Sequence, residues 1–145
     1  MSKTEDFLTT EEEQEIVKAI TIAEKNTSGE IRVHIENSSK KPPLERAKEV
    51  FLSLEMNQTE ARNGVLFYVG VSDKTFAILG DEGIDKAVES DFWNVTKDVV
   101  IEHFKNNHYK DGLVAGILSA GERLKMFFPY AENDTDELSN EISRG

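Results

Sequence analysis

The fold is constrained most by the stretch from Arg62 to Ile84, which predicts two strands joined by a tight turn. Residues 65–71 are almost wholly apolar on both alternations, a pattern typical of a strand that is covered on both sides of a sheet. Residues 72–79 supply turn chemistry and then a second apolar run, which predicts the returning strand. Because that strand returns antiparallel, the polar segment Gly80–Gly83 is expected to lie beside Arg62–Gly64. This end of the hairpin is the candidate site.

A strand and a helix precede the hairpin. Residues 30–36 alternate strictly between aliphatic residues and charged or polar ones, which predicts a strand with one apolar face. A helix opened by two prolines follows it. Strand–helix–strand connections are right-handed with parallel strands, so both strands are expected to begin at the same edge of the sheet. Glu30 is therefore predicted to join Asn63 and Asp81 at that edge.

Helices are predicted on either side of this unit. The first starts near Thr10, whose spacing from Glu13 is that of a capping box. A later helix is predicted to be capped by Ser90, and the last helix to begin near Asp111. The last helix carries three glycines, which lower helix propensity by roughly 1 kcal/mol each relative to alanine, and we expect them to permit close packing. They are Gly112, Gly116 and Gly121.

Length and composition fit one domain. A chain of 145 residues with 38% hydrophobic content can bury a sizeable core. We expect an N-terminal arm at residues 1–9, a single α/β domain at residues 10–129, and an acidic, disordered tail at residues 130–145. Within that tail, Leu138 and Ile142 are too sparse to form a core of their own.

The charge balance narrows the classes of partner. Twenty-eight acidic residues against 17 basic ones give a net charge of −11, which argues against a nucleic-acid groove and favours attraction of divalent cations. The absence of cysteine excludes disulfides, thiolate zinc sites and thiol nucleophiles. No signal peptide and no stretch of about 18 apolar residues is present, so we expect a cytoplasmic protein without membrane insertion, and a monomer.

The predicted sheet edge is rich in carboxylate and amide oxygens. The residues that carry them are Glu30, Asn63, Asp81 and Glu82. Hard cations such as Ca²⁺ and Mg²⁺ bind oxygen ligands of this kind, and the chain shows no histidine pair with zinc-ligand spacing. The residues alone also allow a structural interpretation, in which Glu30 or Asp81 pairs with Arg62, or Asp81 occupies a turn. Asp111 likewise either faces the site or caps the last helix.

Other catalytic patterns are absent from the sequence. No G-x-S-x-G motif is present, and the three histidines lack a visible triad partner. His34 is predicted to be exposed on its strand, and His103 and His108 to be structural. The pair Gly80 and Gly83 matches neither the P-loop nor the dinucleotide-binding pattern.

Four sequence blocks, taken in order, carry a family resemblance. The blocks are Ser28–Val33, Arg62–Leu66, Ala77–Ile84 and Phe104–Gly116, with Leu124, Phe128 and Pro129. Together they resemble the TPM domain family, which includes thylakoid proteins of photosystem II repair and many bacterial proteins. The resemblance covers about residues 10–129 and implies a Rossmann-like, three-layer α/β/α sandwich around a small mixed, mostly parallel sheet. The chain looks like a cytosolic bacterial type, because it lacks the export signal and the membrane or glycine-rich tail of many members.

The resemblance also implies functions. Similar family members have been assigned acid phosphatase activity in plants and divalent-metal binding at the acidic end of the sheet. Carried over to this chain, the implied metal positions are Glu30, Asn63, Asp81 and Glu82, with Asp111 as a further candidate. Residues 80–83 replace the usual glycine–aromatic–glycine turn with a more acidic one, which favours a metal over a bare phosphate cradle.

Three functional hypotheses follow. The favoured one is a domain that binds a divalent cation, Ca²⁺ or Mg²⁺, through the converging oxygens. The second is a metal-assisted acid phosphatase, in which the ion activates water and Arg62 contacts the phosphate. The third is an interaction module whose groove or acidic tail binds a protein partner.

Overall fold

A four-stranded mixed sheet with helices on both faces forms the centre of the molecule. The computed structural model describes residues 7–37, 40–72, 74–130 and 138–144. The helices are α1 (Thr10–Glu24), α2 (Pro43–Ser53), α3 (Glu82–Ala87), α4 (Asn94–Lys105) and α5 (Tyr109–Leu124), with a short 3₁₀ turn at Met56–Gln58. The strands are β1 (Glu30–Glu36), β2 (Gly64–Gly70), β3 (Thr75–Gly80) and β4 (Ser143–Arg144). Among these helices, none is long and apolar enough to cross a membrane.

The sheet has the predicted strand directions. Its order is β3-β2-β1-β4, with β1 parallel to β2, β2 antiparallel to β3, and β4 parallel to β1. Glu30 pairs with Gly64 across the parallel strands, and Val65 pairs with Gly80 across the hairpin. Every residue of β2 is buried, as its apolar run predicts.

Two apolar layers enclose the sheet and confirm the α/β/α arrangement. On one face, the aliphatic residues of β1 and alternate residues of β2 pack with α1, α4 and α5. On the other face, Leu66 and Tyr68 of β2 and Ala77 of β3 pack with α2 and with Met56. Both faces of β1 are therefore covered: its aliphatic side chains belong to the core on the α1 side, and its alternate side chains face the α2 side.

The helix starts differ from the predictions in detail. The capping box of α1 is one residue earlier than predicted: the Thr9 hydroxyl accepts from the Glu12 amide (3.1 Å), and Glu12 accepts in return from the Thr9 amide (3.0 Å). Helix α4 begins at Asn94 rather than after a Ser90 cap, and Trp93 occupies its N-cap position without a side-chain bond. Of the predicted N-terminal arm, Phe7 and Leu8 pack against the core, while residues 1–6 lie outside the described residues.

The C-terminal residues Leu138–Arg144 lie against the sheet, where the sequence predicted disorder. Ser143 and Arg144 form β4 beside β1, and the two apolar side chains divide between the two cores. Ile142 packs on the α1 side, and Leu138 on the α2 side. Two such residues are too few to make a core but suffice to contact existing ones, which explains the difference. Residues 131–137 and 145 of the predicted tail lie outside the described residues.

Candidate functional site

The starts of β1 and β2 and the end of β3 meet at one edge of the sheet. The Glu30 amide donates to the Asn63 carbonyl (3.2 Å), and the Asp81 amide donates to the Gly64 carbonyl (2.9 Å). We call this edge, defined by Glu30, Asn63, Gly64 and Asp81, the strand rim. Glu30 pairs with Gly64, and Asp81, the residue after β3, continues the hairpin register opposite Gly64, so the three side-chain positions share the α2 face. With neighbouring strands about 4.8 Å apart, Glu30 and Asp81 are about 10 Å apart at the backbone.

Asp81 is engaged by the protein itself. Its carboxylate receives two hydrogen bonds from the Arg62 guanidinium, from Nε at 2.7 Å and from Nη2 at 2.9 Å. It also accepts from the Glu82 amide at 2.7 Å and thereby caps α3. Both structural roles that the sequence allowed for Asp81 are therefore present. Asp81 is only 6% exposed, whereas the Arg62 side chain is 38% exposed.

Arg62 lies between two carboxylates. Besides Asp81, its Nη1 atom lies 3.3 Å from the carboxylate of Glu82, which is itself exposed. The hydrogen bonds that Arg62 donates to Asp81 raise the pKa of the guanidinium above its ordinary value. Its backbone has a left-handed φ of 51°, and its carbonyl accepts from the Gly83 amide (2.9 Å), which brings the two turns together. Arg62 is thus placed beside the site but is already neutralised by acidic partners.

Glu30 is the most buried carboxylate of the strand rim. The residue is 4% exposed, and its Oε1 atom accepts a hydrogen bond from the Leu138 amide at 2.7 Å. Glu30 also borders a cleft of about 190 Å³. The other residues that line this cleft are Thr21, Glu24, Lys25, Thr27, Ser28, Gly29, Tyr130 and Asn140.

Asn63 fixes the loops on which the strand rim depends. Its side-chain amide donates to the Ser28 carbonyl (3.2 Å) and lies 3.4 Å from the Ser28 hydroxyl. Its backbone amide donates to the Thr59 hydroxyl (3.3 Å). The side chain therefore joins the segment before β1 to the segment before β2. The backbone carbonyl of Asn63 accepts from the Glu30 amide and so aligns the start of β1.

The structure does not bring Asp111 to the strand rim. It lies in the first turn of α5, is 53% exposed at the side chain, and pairs with Lys110 Nζ at 2.6 Å. The opposite end of α5 is the one that reaches the rim, since a Cβ atom on Gly29 would lie 3.1 Å from Leu124 Cδ1. Thirteen residues of helix separate Asp111 from Leu124, a distance of about 20 Å.

The oxygen atoms at the strand rim are of the kind that coordinate a hard cation, but in this structure they accept hydrogen bonds from other groups of the protein. Carboxylate, amide and hydroxyl oxygens are the ligands that Ca²⁺ and Mg²⁺ take. Within the described parts of the chain, no group of three or more histidine, aspartate or glutamate side chains is close enough to hold a metal ion. The Asp81 carboxylate accepts hydrogen bonds from Arg62, and the Glu30 carboxylate accepts one from the Leu138 amide.

Sequence reasoning missed a buried polar network on the α2 side of β1. His34, predicted to be exposed, is only 5% exposed, and its Nε2 atom lies 3.0 Å from Glu36 Oε1. Glu36 accepts two further hydrogen bonds from Arg46 of α2 (2.9 and 3.0 Å) and one from the Tyr68 hydroxyl. His34 Nδ1 lies 2.9 Å from the Ser143 hydroxyl of β4. The sequence did carry a signal for this burial. Strand β2 is apolar on both faces and must be covered on both, so the polar face of its neighbour β1 must be covered as well.

Glu24 is a second residue that sequence reasoning missed. It ends α1, and its Oε2 atom accepts from the Ile31 amide (3.0 Å) on the cleft that Glu30 borders. A carboxylate at the negative end of a helix dipole is unfavourable, and no basic residue accompanies it in that turn. This unfavourable placement was a usable signal of a further role.

Comparison with known proteins decides the family. The family model for the TPM domain matches residues 1–123. The chain belongs to the TPM domain family. The NMR structure of the BA42 protein from the psychrophilic bacterium Bizionia argentinensis is 53% identical to this TPM domain, with 100% of each chain covered and a TM-score of 0.93. The predicted family and fold are therefore confirmed.

More distant structures share the fold. The N-terminal domain of a protein from P. gingivalis is 16% identical, over 88% of this chain and 83% of that one, with a TM-score of 0.71. The N-terminal domain of the cg2496 protein from Corynebacterium glutamicum is 9% identical, over 93% of this chain and 79% of that one, with a TM-score of 0.63. At these identities the likeness concerns the fold alone. No curated protein matches the chain.

Proposed function

We propose that this TPM domain binds a divalent cation, Ca²⁺ or Mg²⁺, at the strand rim, with Glu30 as the central ligand. The observation that carries the proposal is the position of Glu30. Its carboxylate is almost fully buried, borders the cleft, and lies in cross-strand register with Asp81 on the same face. A cation bound there would place positive charge beside two carboxylates that are largely buried.

The surroundings of Glu30 supply further oxygen donors. Glu24 and the half-buried Ser28 share the cleft with it. Asp81 becomes available to an ion if the exposed Arg62 guanidinium moves toward solvent. Few protein ligands and an open cleft suit an ion that keeps several waters. The net charge of −11 adds a long-range attraction for cations.

The proposal is tested by adding Ca²⁺, and separately Mg²⁺, while backbone amide shifts are followed by NMR. We expect saturable shifts at Gly29, Glu30 and Asn63 and along Asp81–Gly83, and we expect Glu30→Gln to weaken binding at least tenfold because a central ligand loses its charge. Asp111→Asn is the matched control, since it removes the same charge at the first turn of α5, the end of that helix away from the rim, and is expected to leave binding unchanged.

Two outcomes contradict cation binding at the strand rim. One is the absence of shifts at these residues at millimolar metal. The other is equal weakening in Glu30→Gln and Asp111→Asn, which would reduce the effect to the loss of overall charge.

Phosphatase activity is the alternative, and it makes a further demand on the site. Arg62 would have to exchange Asp81 and Glu82 for a phosphate. What favours it is that Arg62 and Lys48 both line a groove of about 280 Å³ that continues from Asp81. Phosphate binding would require Arg62 to leave both of its carboxylate partners, whereas cation binding requires no free cationic side chain. The geometry therefore supports cation binding better than phosphatase activity. Cytoplasmic location, a monomeric state and a protein partner stay predictions.

A further inference from the structure

We propose that Leu138–Arg144, named here the C-terminal strap, is a displaceable cover of the cation site that competes with the ion for Glu30. The inference rests on the proposed cation binding and adds its regulation. Three observations carry it: the bond from the strap to Glu30, the position of the Leu138 side chain, and the separate attachment of the strap at β4.

The first observation is that the strap takes a ligand atom. The Leu138 amide donates to Glu30 Oε1 at 2.7 Å. An amide donor and a cation seek the same lone pairs of a carboxylate oxygen, so an ion bound through both oxygens of Glu30 displaces this bond or weakens it. Asn140 of the strap also forms part of the wall of the cleft, and its side-chain amide lies 3.3 Å from the Thr21 hydroxyl.

The second observation is that Leu138 covers the space between the two rim carboxylates. Gly64 lies between Glu30 and Asp81 in the sheet, and the positions of all three share one face. A Cβ atom on Gly64 would lie 3.6 Å from Leu138 Cδ1 on that face. The Met56 carbonyl (3.2 Å) and Met56 Cε (3.6 Å) lie against the same point, so the Leu138 methyl group is one of the groups that close the space between Glu30 and Asp81.

The third observation is that the strap is attached separately at its other end, away from Glu30. The Ser143 hydroxyl bonds His34 Nδ1 (2.9 Å), Arg144 pairs with Glu13, and β4 comprises only two residues. His34 is four residues along β1 from Glu30, about 13 Å away. A short edge strand of this kind opens at low free-energy cost compared with the core. Weakening this end therefore loosens the strap without touching the ion site.

Competition makes the two equilibria reciprocal. Displacing the strap raises the affinity for the cation, and binding the cation releases the strap by the same factor. Ser143→Ala removes the bond to His34, and Leu138→Ala removes the apolar cover while it retains the amide. Ser53→Ala, an exposed serine at the end of α2, is the matched control.

The experiment is a Ca²⁺ titration of the wild-type 145-residue chain and the three variants, with amide shifts at Glu30 as the measure of affinity. Amide hydrogen exchange at Ser143 and Arg144 is followed in parallel. We expect about fivefold or greater tightening in Ser143→Ala and in Leu138→Ala, no change in Ser53→Ala, and faster exchange of Ser143 and Arg144 when Ca²⁺ is bound to the wild type.

The outcomes separate this inference from the function on which it rests. Binding at Glu30 with equal affinity in all four proteins overturns the strap and leaves cation binding intact. Weaker binding in Ser143→Ala and Leu138→Ala also overturns it, because the strap would then help to build the site. Absence of binding in every protein overturns both proposals, whereas binding in Leu138→Ala alone supports both.

Discussion

Glu36 shows how hydrogen bonds to a single residue can reverse the effect of burial. Burial by itself would raise the pKa of this carboxyl, but the bonds from Arg46, Tyr68 and His34 outweigh it and lower the pKa from 4.5 to about 2. A shift of this size corresponds to about 3 kcal/mol of stability. Because the folded pKa is depressed, that contribution is complete above pH 4.5 and is lost as the pH falls toward about 2.

His34 also makes the free energy of unfolding decrease on acidification, but at a higher pH than Glu36 does. Burial is the main cause that lowers its pKa below 6.5; Glu36 opposes this effect, and the charges of Arg46 and Arg32 add to it. Tyr68 and Ser143 are the other polar groups that face the ring. Below pH 6.5 the unfolded chain takes up a proton that the folded imidazole resists, so the free energy of unfolding decreases as the pH falls.

These two residues predict a staged loss of stability on acidification. We expect the free energy of unfolding, measured by urea denaturation at a series of pH values, to fall first below pH 6.5 and again below pH 4.5. His34→Gln, which keeps a hydrogen-bonding side chain without the titration, is expected to flatten the first stage. His108→Gln, at an exposed position, is the control. A first stage of equal size in both variants would show that His34 is not its source.

At the scale of elements, α5 determines how closely the helical layer approaches the sheet. A Cβ atom on Gly116 would lie 2.4 Å from Val100 Cγ2 of α4 and 3.1 Å from Phe67 Cε2 of β2. Both distances are shorter than ordinary carbon contacts, so the glycine is required for close approach. Its φ is not positive, so conformational freedom is not the reason.

Gly116→Ala is therefore predicted to destabilise the domain despite a gain in helix propensity. The gain is about 1 kcal/mol, whereas overpacking costs about 1–3 kcal/mol, so we expect a net loss of up to about 2 kcal/mol in the free energy of unfolding. Gly112→Ala receives the same gain, but its nearest contacts are 3.0 Å, to His103 and Phe104, so a smaller loss is expected. Urea denaturation measures both. Greater stability of Gly116→Ala than of the wild type would contradict this account of the packing.

Elements with a regular pattern were predictable, and those that depend on tertiary contacts were not. The alternation of β1 and the apolar run of β2 sufficed for the hairpin and the strand directions. A Ser90 cap alone would start α4 directly after residue 90. The helix starts later because Phe92 and Trp93 pack against each other instead, with 4.8 Å between their ring centroids, and this contact could not be predicted from the cap. Strand β4 was missed because its residues carry no strand pattern of their own and dock on an edge that already exists.

For the whole molecule, the location of the candidate site was predictable and its internal pairing was not. Right-handed connection and antiparallel return are general rules, and they suffice to bring Glu30 and Asp81 to one rim. Which partner each carboxylate takes depends on side chains from distant segments, as Leu138 shows for Glu30. The separation of Asp111 depends on which end of α5 lies at the rim, which the sequence pattern leaves open.

Cation binding should also be visible in the stability of the whole domain. A ligand at about 100 times its dissociation constant stabilises the native state by about 2.7 kcal/mol, which for a chain of this size raises Tm by about 5–10 °C. Because a chain of net charge −11 also gains from screening of its self-repulsion, NaCl at matched ionic strength is the necessary control. We expect Ca²⁺ to exceed NaCl in the wild type and in Asp111→Asn, and to exceed it by at most about half that margin in Glu30→Gln, whose affinity is at least tenfold weaker. A rise of equal size in Glu30→Gln would attribute the stabilisation to charge screening and remove Glu30 from the site.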